Sequence, residues 1–158
     1  MKKIIGAVLL LASLLIGLWY YSLHQGRKPF RCDTQQISVQ VKGKKNIVLN
    51  ANSTVIFSSS NTGIVYISGS IKEDDTRYLL ARKIFFTINP SEIKGADNTQ
   101  FTHEERHPGD NTPDQIWRDF LLPEIQHVDF HSEIIKLHQN ALLISGVTNP
   151  FLVCTKQD

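Results

Sequence analysis

The chain has 158 residues, and roughly the first 23 are nearly all apolar, which leaves about 135 for one folded core and too few for two. Lys and Arg number 17 against 15 Asp and Glu; with Lys2 and Lys3 ahead of the apolar run, the remainder is neutral, which argues against bulk electrostatic binding to nucleic acid. A hydrophobic content of 41% and a charged content of 20% exclude a disordered or collagen-like chain.

Ile4–Leu23 carries no charge over twenty residues, a helix of about 30 Å and so the thickness of a bilayer's hydrocarbon. Trp19, Tyr20 and Tyr21 look like an interfacial aromatic belt. No small-residue cleavage site follows, so a single transmembrane anchor is expected in preference to a cleaved signal peptide. Lys2 and Lys3 favour a cytoplasmic N-terminus, while Arg27, Lys28 and Arg31 pull the other way. The only cysteines, Cys32 and Cys154, bracket the rest of the chain and suggest a disulfide clasp made in an oxidising compartment; two unrelated buried thiols are the alternative. This reading divides the chain into a cytoplasmic stub (1–3), an anchor (4–23), a tether (24–31) and a domain (32–158) in a bacterial periplasm.

From Gln35 the pattern has period 2. Ile37, Val39 and Val41 alternate with polar residues, Gly43-Lys44 turns the chain, and Ile47, Leu49 and Ala51 continue the alternation into Thr54–Phe57. Turns at Asn61-Thr62-Gly63 and Glu73-Asp74-Asp75 flank Ile64–Ile67, and Tyr78–Ile88 is a long strand ending at Asn89-Pro90. A helix of about ten residues follows, with Thr112 as N-cap, Pro113 at N1 and Gln115 completing a capping box. Ile116, Trp117, Phe120 and Leu121 share its apolar face, and Pro123 closes it. Ile134–His138, a Gln139-Asn140 turn, Ala141–Ser145 and Phe151–Cys154 complete the pattern. The class is α+β: mainly an antiparallel meander, barrel- or sandwich-like, with one short helix. With no closure visible in the sequence, strand edges are expected to stay open and to receive a partner.

His103-Glu104-Glu105-Arg106-His107 spells the zinc-protease pattern H-E-x-x-H, whose chemistry needs both imidazoles on one helical face. Thr99–Thr102 before it reads as strand and Pro108-Gly109 breaks any helix after it, so a charged loop is the better reading. No glycine-rich phosphate loop or nucleophile constellation accompanies it, so no enzyme, cofactor or metal is expected. Charge divides the domain: residues 27–45 carry net +5 and residues 92–133 net −7. Four of six histidines, His103, His107, His127 and His131, lie in the acidic half and are candidate pH sensors. On a strand, His127, Asp129, His131 and Glu133 would share a face; the carboxylates would favour protonated imidazoles, and mild acid would strengthen the domain or its complex.

Several segments resemble the FidL-like family of small enterobacterial inner-membrane proteins: the Leu10–Leu18 anchor, Phe30-Arg31-Cys32, Gly109-Asp110-Asn111-Thr112-Pro113-Asp114, Leu142–Ser145 and Pro150–Cys154. Within it the chain looks most like fimbrial regulators of the PsaF and MyfF type. The resemblance implies a role similar to that of ToxS. A periplasmic domain would bind, protect and help activate a membrane-spanning transcription activator of the ToxR or CadC type, with fimbrial and virulence genes as the output. Related pairs form a lipocalin-like barrel jointly, so a heterodimer is expected, with no direct nucleic-acid contact. Two other readings stand beside it: a periplasmic sensor of a small apolar molecule such as a bile acid, in which Tyr78, Phe85, Phe86 and Trp117 would line a cavity, and an envelope assembly or chaperone component.

Overall fold

The computed structural model describes residues 2–23, 28–42, 45–58, 60–121, 128–146 and 149–157. Helix α1 (Lys2–Leu23) precedes eight antiparallel strands: β1 (Phe30–Lys42), β2 (Lys45–Phe57), β3 (Thr62–Glu73), β4 (Thr76–Pro90), β5 (Asp97–Arg106), β6 (Asp129–His138), β7 (Ala141–Gly146) and β8 (Pro150–Gln157). Each strand pairs with the next and β8 pairs with β1, which closes an up-and-down barrel. The meander expected from the alternation is therefore present, and it closes within this one chain.

Closure is uneven. β1 pairs with β2 along thirteen positions but with β8 only through Arg31–Asp33 against Thr155–Gln157. β5 and β6 meet through four pairs, from Asp97↔Ser132 to Gln100↔Asp129. The expected strand edges thus reduce to what these two short seams leave open. The disulfide crosses the first seam: Cys32 on β1 is bonded to Cys154 on β8, their Cα atoms 5.5 Å apart.

Turn residues behave as their chemistry requires. Asn61, Asp74 and Gln139 take positive φ, the left-handed region that short polar side chains tolerate best. Gly69 sits where β2 and β3 approach closely, and a Cβ there would collide with the backbone of Asn50 and Ala51.

The inward positions form two clusters. At one end Ile47, Leu49, Ala51, Ile71, Leu80 and Ile84 pack with Ile116 and Trp117. At the other, Val55, Phe57, Phe86, Ile88 and Leu142 surround the disulfide. Alternation makes one choice on β1 decide all the others. The bridge holds Cys32 inward, so the odd-numbered Ile37, Val39 and Val41 point outward and stand 62–72% exposed. An apolar stripe that the alternation places on a core face lies on the surface instead.

Two expectations need correcting. The segment after β5 contains only a short α2 (Asp114–Ile116) and a π-helical turn (Trp117–Leu121). Pro113, with φ −58° and ψ 135°, occupies the cap position and no side chain caps it. The Thr112 hydroxyl is taken elsewhere, donating to Leu79 O at 3.0 Å. Ile116 and Trp117 are buried as expected, while the side chains of Phe120 and Leu121 lie outside the described residues. Second, the charged loop expected at His103–Arg106 is the end of strand β5.

α1 follows the predicted helix closely, but its spanning role does not emerge from the structure: among the described residues no helix is long and apolar enough to cross a membrane. The side chains of residues 2–5 and 7–10 lie outside the described ones, and Leu11–Tyr21 alone covers only about 16 Å.

Candidate functional site

Three features could carry function: a cavity inside the barrel, the segment that plugs one end of it, and the open edge of β1.

The cavity measures about 380 Å³, within the range of small-molecule sites. Its wall is apolar, dominated by Phe57, Phe86, Phe101, Phe130 and Phe151 together with branched aliphatic side chains. Phe101 stacks obliquely on Phe130, whose edge meets Phe151 at 6.0 Å between centroids. Two polar pairs, one near each seam, and Asn149 interrupt this wall. Ser53 Oγ donates to Gln36 Oε1 at 3.1 Å, and the Thr99 and Ser132 hydroxyls share a hydrogen bond. No charged side chain lines the cavity among the described residues. Gln36 and Leu152 lie on β1 and β8 just past the point where those strands stop pairing, so the cavity reaches the open part of the seam.

The opposite end is plugged by residues 107–117, and Arg82 holds the plug. On β4 Leu80, Arg82 and Ile84 all point inward, which places a guanidinium, 3% exposed, among apolar side chains. Every side of it is met. Nη1 donates to Glu104 Oε1 at 2.7 Å, Nε to Asp110 Oδ2 at 3.2 Å, and Nη2 to Asp114 Oδ1 at 2.9 Å and Thr112 O at 3.2 Å. The Trp117 ring lies 4.7 Å from the guanidinium carbon, and its Nε1 donates to Glu104 Oε2. Burial opposes the charge on Arg82, but its bonds to Glu104 and Asp114 and the charge of Asp110 outweigh it and raise its pKa. Asp114 is correspondingly held below the ordinary carboxylate value, chiefly by its bond from Arg82.

Asp110 and Asn111 complete the latch by completing β4. Ala81 N donates to Asp110 Oδ2 and Leu79 N to Asn111 Oδ1, while Thr112 N donates back to Asp110 Oδ1. Residues 107–112 thereby continue alongside β4 where β5 ends. The Gly109–Asp114 motif thus works as a strand-capping latch as well as leading into the short α2. Sequence reasoning missed Arg82, although a cation on the inward parity of an apolar strand was a readable signal.

Glu104 reaches Arg82 only because β5 bulges. Phe86 faces Phe101 and Phe85 faces His103, so Thr102 is the extra residue. The bulge turns Glu104 inward and His103 outward.

The three described candidate pH-sensing histidines, His103, His107 and His131, are not brought together. His103, 64% exposed, lies beside Phe85 with Nε2 3.8 Å from Glu105. His107 follows β5, its Nδ1 accepting from Gly109 N. His131 faces outward on β6, its Nδ1 3.2 Å from Ser91 Oγ and its cross-strand partner Asn98. His127 lies outside the described residues. Asp129, on the same outward face as His131, is engaged by Asn98 and Gln100. His103 and His107 do not share a helical face, because the H-E-x-x-H residues run along a strand and into a turn. Of the four aromatics weighed as cavity lining, Phe86 lines it, Phe85 lies outside against His103, and Tyr78 and Trp117 pack into the plugged end.

A family model described as FidL-like putative membrane protein matches residues 69–154, from the second half of β3 into β8. That span holds the whole Arg82 latch, the plug and Cys154. No curated protein and no solved structure matches the chain.

Proposed function

Because the chain belongs to the FidL-like family of membrane proteins, we propose that it is a non-enzymatic regulatory subunit of the bacterial inner membrane. Its barrel lies in the periplasm and binds, stabilises and helps activate a membrane-spanning transcription activator of the ToxR or CadC type, with fimbrial genes as the output. The observation that carries this reading is the β1 edge. Among the described residues β1 pairs with β8 only as far as Asp33, and beside the row that follows Ile37, Val39 and Val41 face solvent. An unpaired edge bordered by apolar side chains is the usual site of strand addition by another chain. Two further facts support the setting. The bond between Cys32 and Cys154 suits an oxidising compartment. Leu11, Leu14, Leu15, Ile16, Leu18 and Trp19 are each 58–70% exposed around α1, a surface suited to lipid and not to water.

The test is capture from solubilised membranes. The full chain, co-expressed with a tagged winged-helix membrane activator encoded beside it, should be retained with the activator. Ile37→Lys/Val39→Lys should cut retention at least tenfold while the barrel's melting temperature stays unchanged. Recovery of the chain without the activator, or undiminished retention of the variant, overturns the reading.

A further inference from the structure

We infer that the barrel cavity is a binding site for an uncharged amphiphile: an apolar body bearing one or two neutral hydrogen-bond acceptors, such as a long-chain alcohol or ester. The wall excludes the charged alternatives. An ionised carboxylate or ammonium moved into this space would meet phenyl rings and aliphatic side chains, with no described cation or anion to neutralise it. The wall is not wholly apolar either. In the Ser53–Gln36 pair the amide oxygen accepts, which leaves the Gln36 amide N–H groups to donate to a guest among the described residues. In the Thr99–Ser132 pair one hydroxyl donates to the other, and the second keeps its own proton to give. Neutral donors from these two pairs, with Asn149 the one further polar side chain among the described lining residues, in an apolar space of about 380 Å³ describe a ligand with a neutral acceptor.

With α1 in the membrane setting proposed above, the location fits a ligand drawn from a bilayer. The cavity lies in the half of the barrel that contains Cys32, Phe57 and Ile88, the end at which β1 begins. Only six residues separate Leu23 of α1 from Phe30 of β1, a reach of about 20 Å. This inference concerns the interior of the barrel and does not depend on the partner assigned to the β1 edge.

The experiment holds the full chain in lipid nanodiscs with isotope-labelled isoleucine methyl groups and adds 1-decanol, decanoate or decylammonium at matched mole fractions. Decanol should shift the Ile88, Ile134 and Ile144 methyls saturably and leave Ile37 unmoved. Decanoate and decylammonium should bind at least tenfold more weakly. Thr99→Val/Ser132→Ala, which removes one polar pair at nearly constant volume, should weaken decanol several-fold without lowering the melting temperature. Equal or tighter binding of either charged amphiphile overturns the proposal, as does the absence of saturable shifts at the three cavity methyls.

Discussion

At the scale of single residues, Arg82 concentrates the largest energies. Asp110 has a fully buried side chain and Arg82 is its nearest cation, with Arg106 Nε 3.4 Å away on the more exposed side. Removing the guanidinium leaves that carboxylate with the half-exposed Arg106 and two backbone N–H donors but no buried cation, and breaking a buried pair from one side costs about 3–5 kcal/mol. Arg82→Met should therefore lower the free energy of urea unfolding by that amount; a loss below about 1 kcal/mol would mean that the plug is held mainly by Trp117 and Ile116. Two carboxylates, one in this network and one on β1, set an acid limit. Asp114 and Asp33 have folded pKa values below their unfolded ones, through the bond from Arg82 and the bond from Thr54 respectively. A depressed carboxylate contributes stability that is complete above its unfolded pKa, near ~3.9, and is lost as pH falls through the folded value. Stability attributable to these groups should be flat from neutrality to about pH 5 and decline below about pH 4. Asp114→Asn should flatten part of that acid limb in urea midpoints measured between pH 2 and 7.

At the scale of elements, the bulge in β5 shows how one residue changes what a strand can do. With regular pairing through Thr102, His103 would face Ile84 inside the barrel and Glu104 would face outward, away from Arg82. The bulge absorbs Thr102 and leaves the pairs on both sides of it intact. Deleting Thr102 should consequently preserve the Arg82–Glu104 contact and cost no more than about 1.5 kcal/mol, unlike most deletions inside a strand. Deleting Gln100 instead forces Phe101 out of the core and should unfold the domain. Circular dichroism and melting curves of the two deletions separate these outcomes. The β1 hairpin teaches a related lesson: its alternation was plain, but which face went inward depended on Cys32.

For the whole molecule, the weakest place is the seam that completes the circle. Three residue pairs join β1 to β8, and the disulfide spans them across a sequence separation of 122. Closing so long a loop removes about 4–5 kcal/mol of chain entropy from the unfolded state, a large share of a small domain's stability. Cys32→Ser or Cys154→Ser should lower stability by that order and open β1 and β8 first, which limited proteolysis would detect as early cleavage near the seam. Oxidised protein should show no alkylatable thiol by mass spectrometry. If the variants melt as the parent does, the seam is held by strand pairing and the two core clusters alone.

Local chemistry was enough to determine several features of this protein. Period-2 alternation and turn residues such as Asp74 and Gln139 set the strands and their antiparallel order, because each signal acts between neighbours in the chain. The bracketing cysteines likewise pointed to each other, since they were the only two. Tertiary structure alone decided closure into a barrel, the outward turn of Ile37, Val39 and Val41, the uncharged cavity and the capture of Arg82 by Glu104, Asp110 and Asp114. Each of these depends on strand register and on which parity faces inward. A bulge or a disulfide resets that parity for every residue beyond it, so it cannot be read from any local window of sequence.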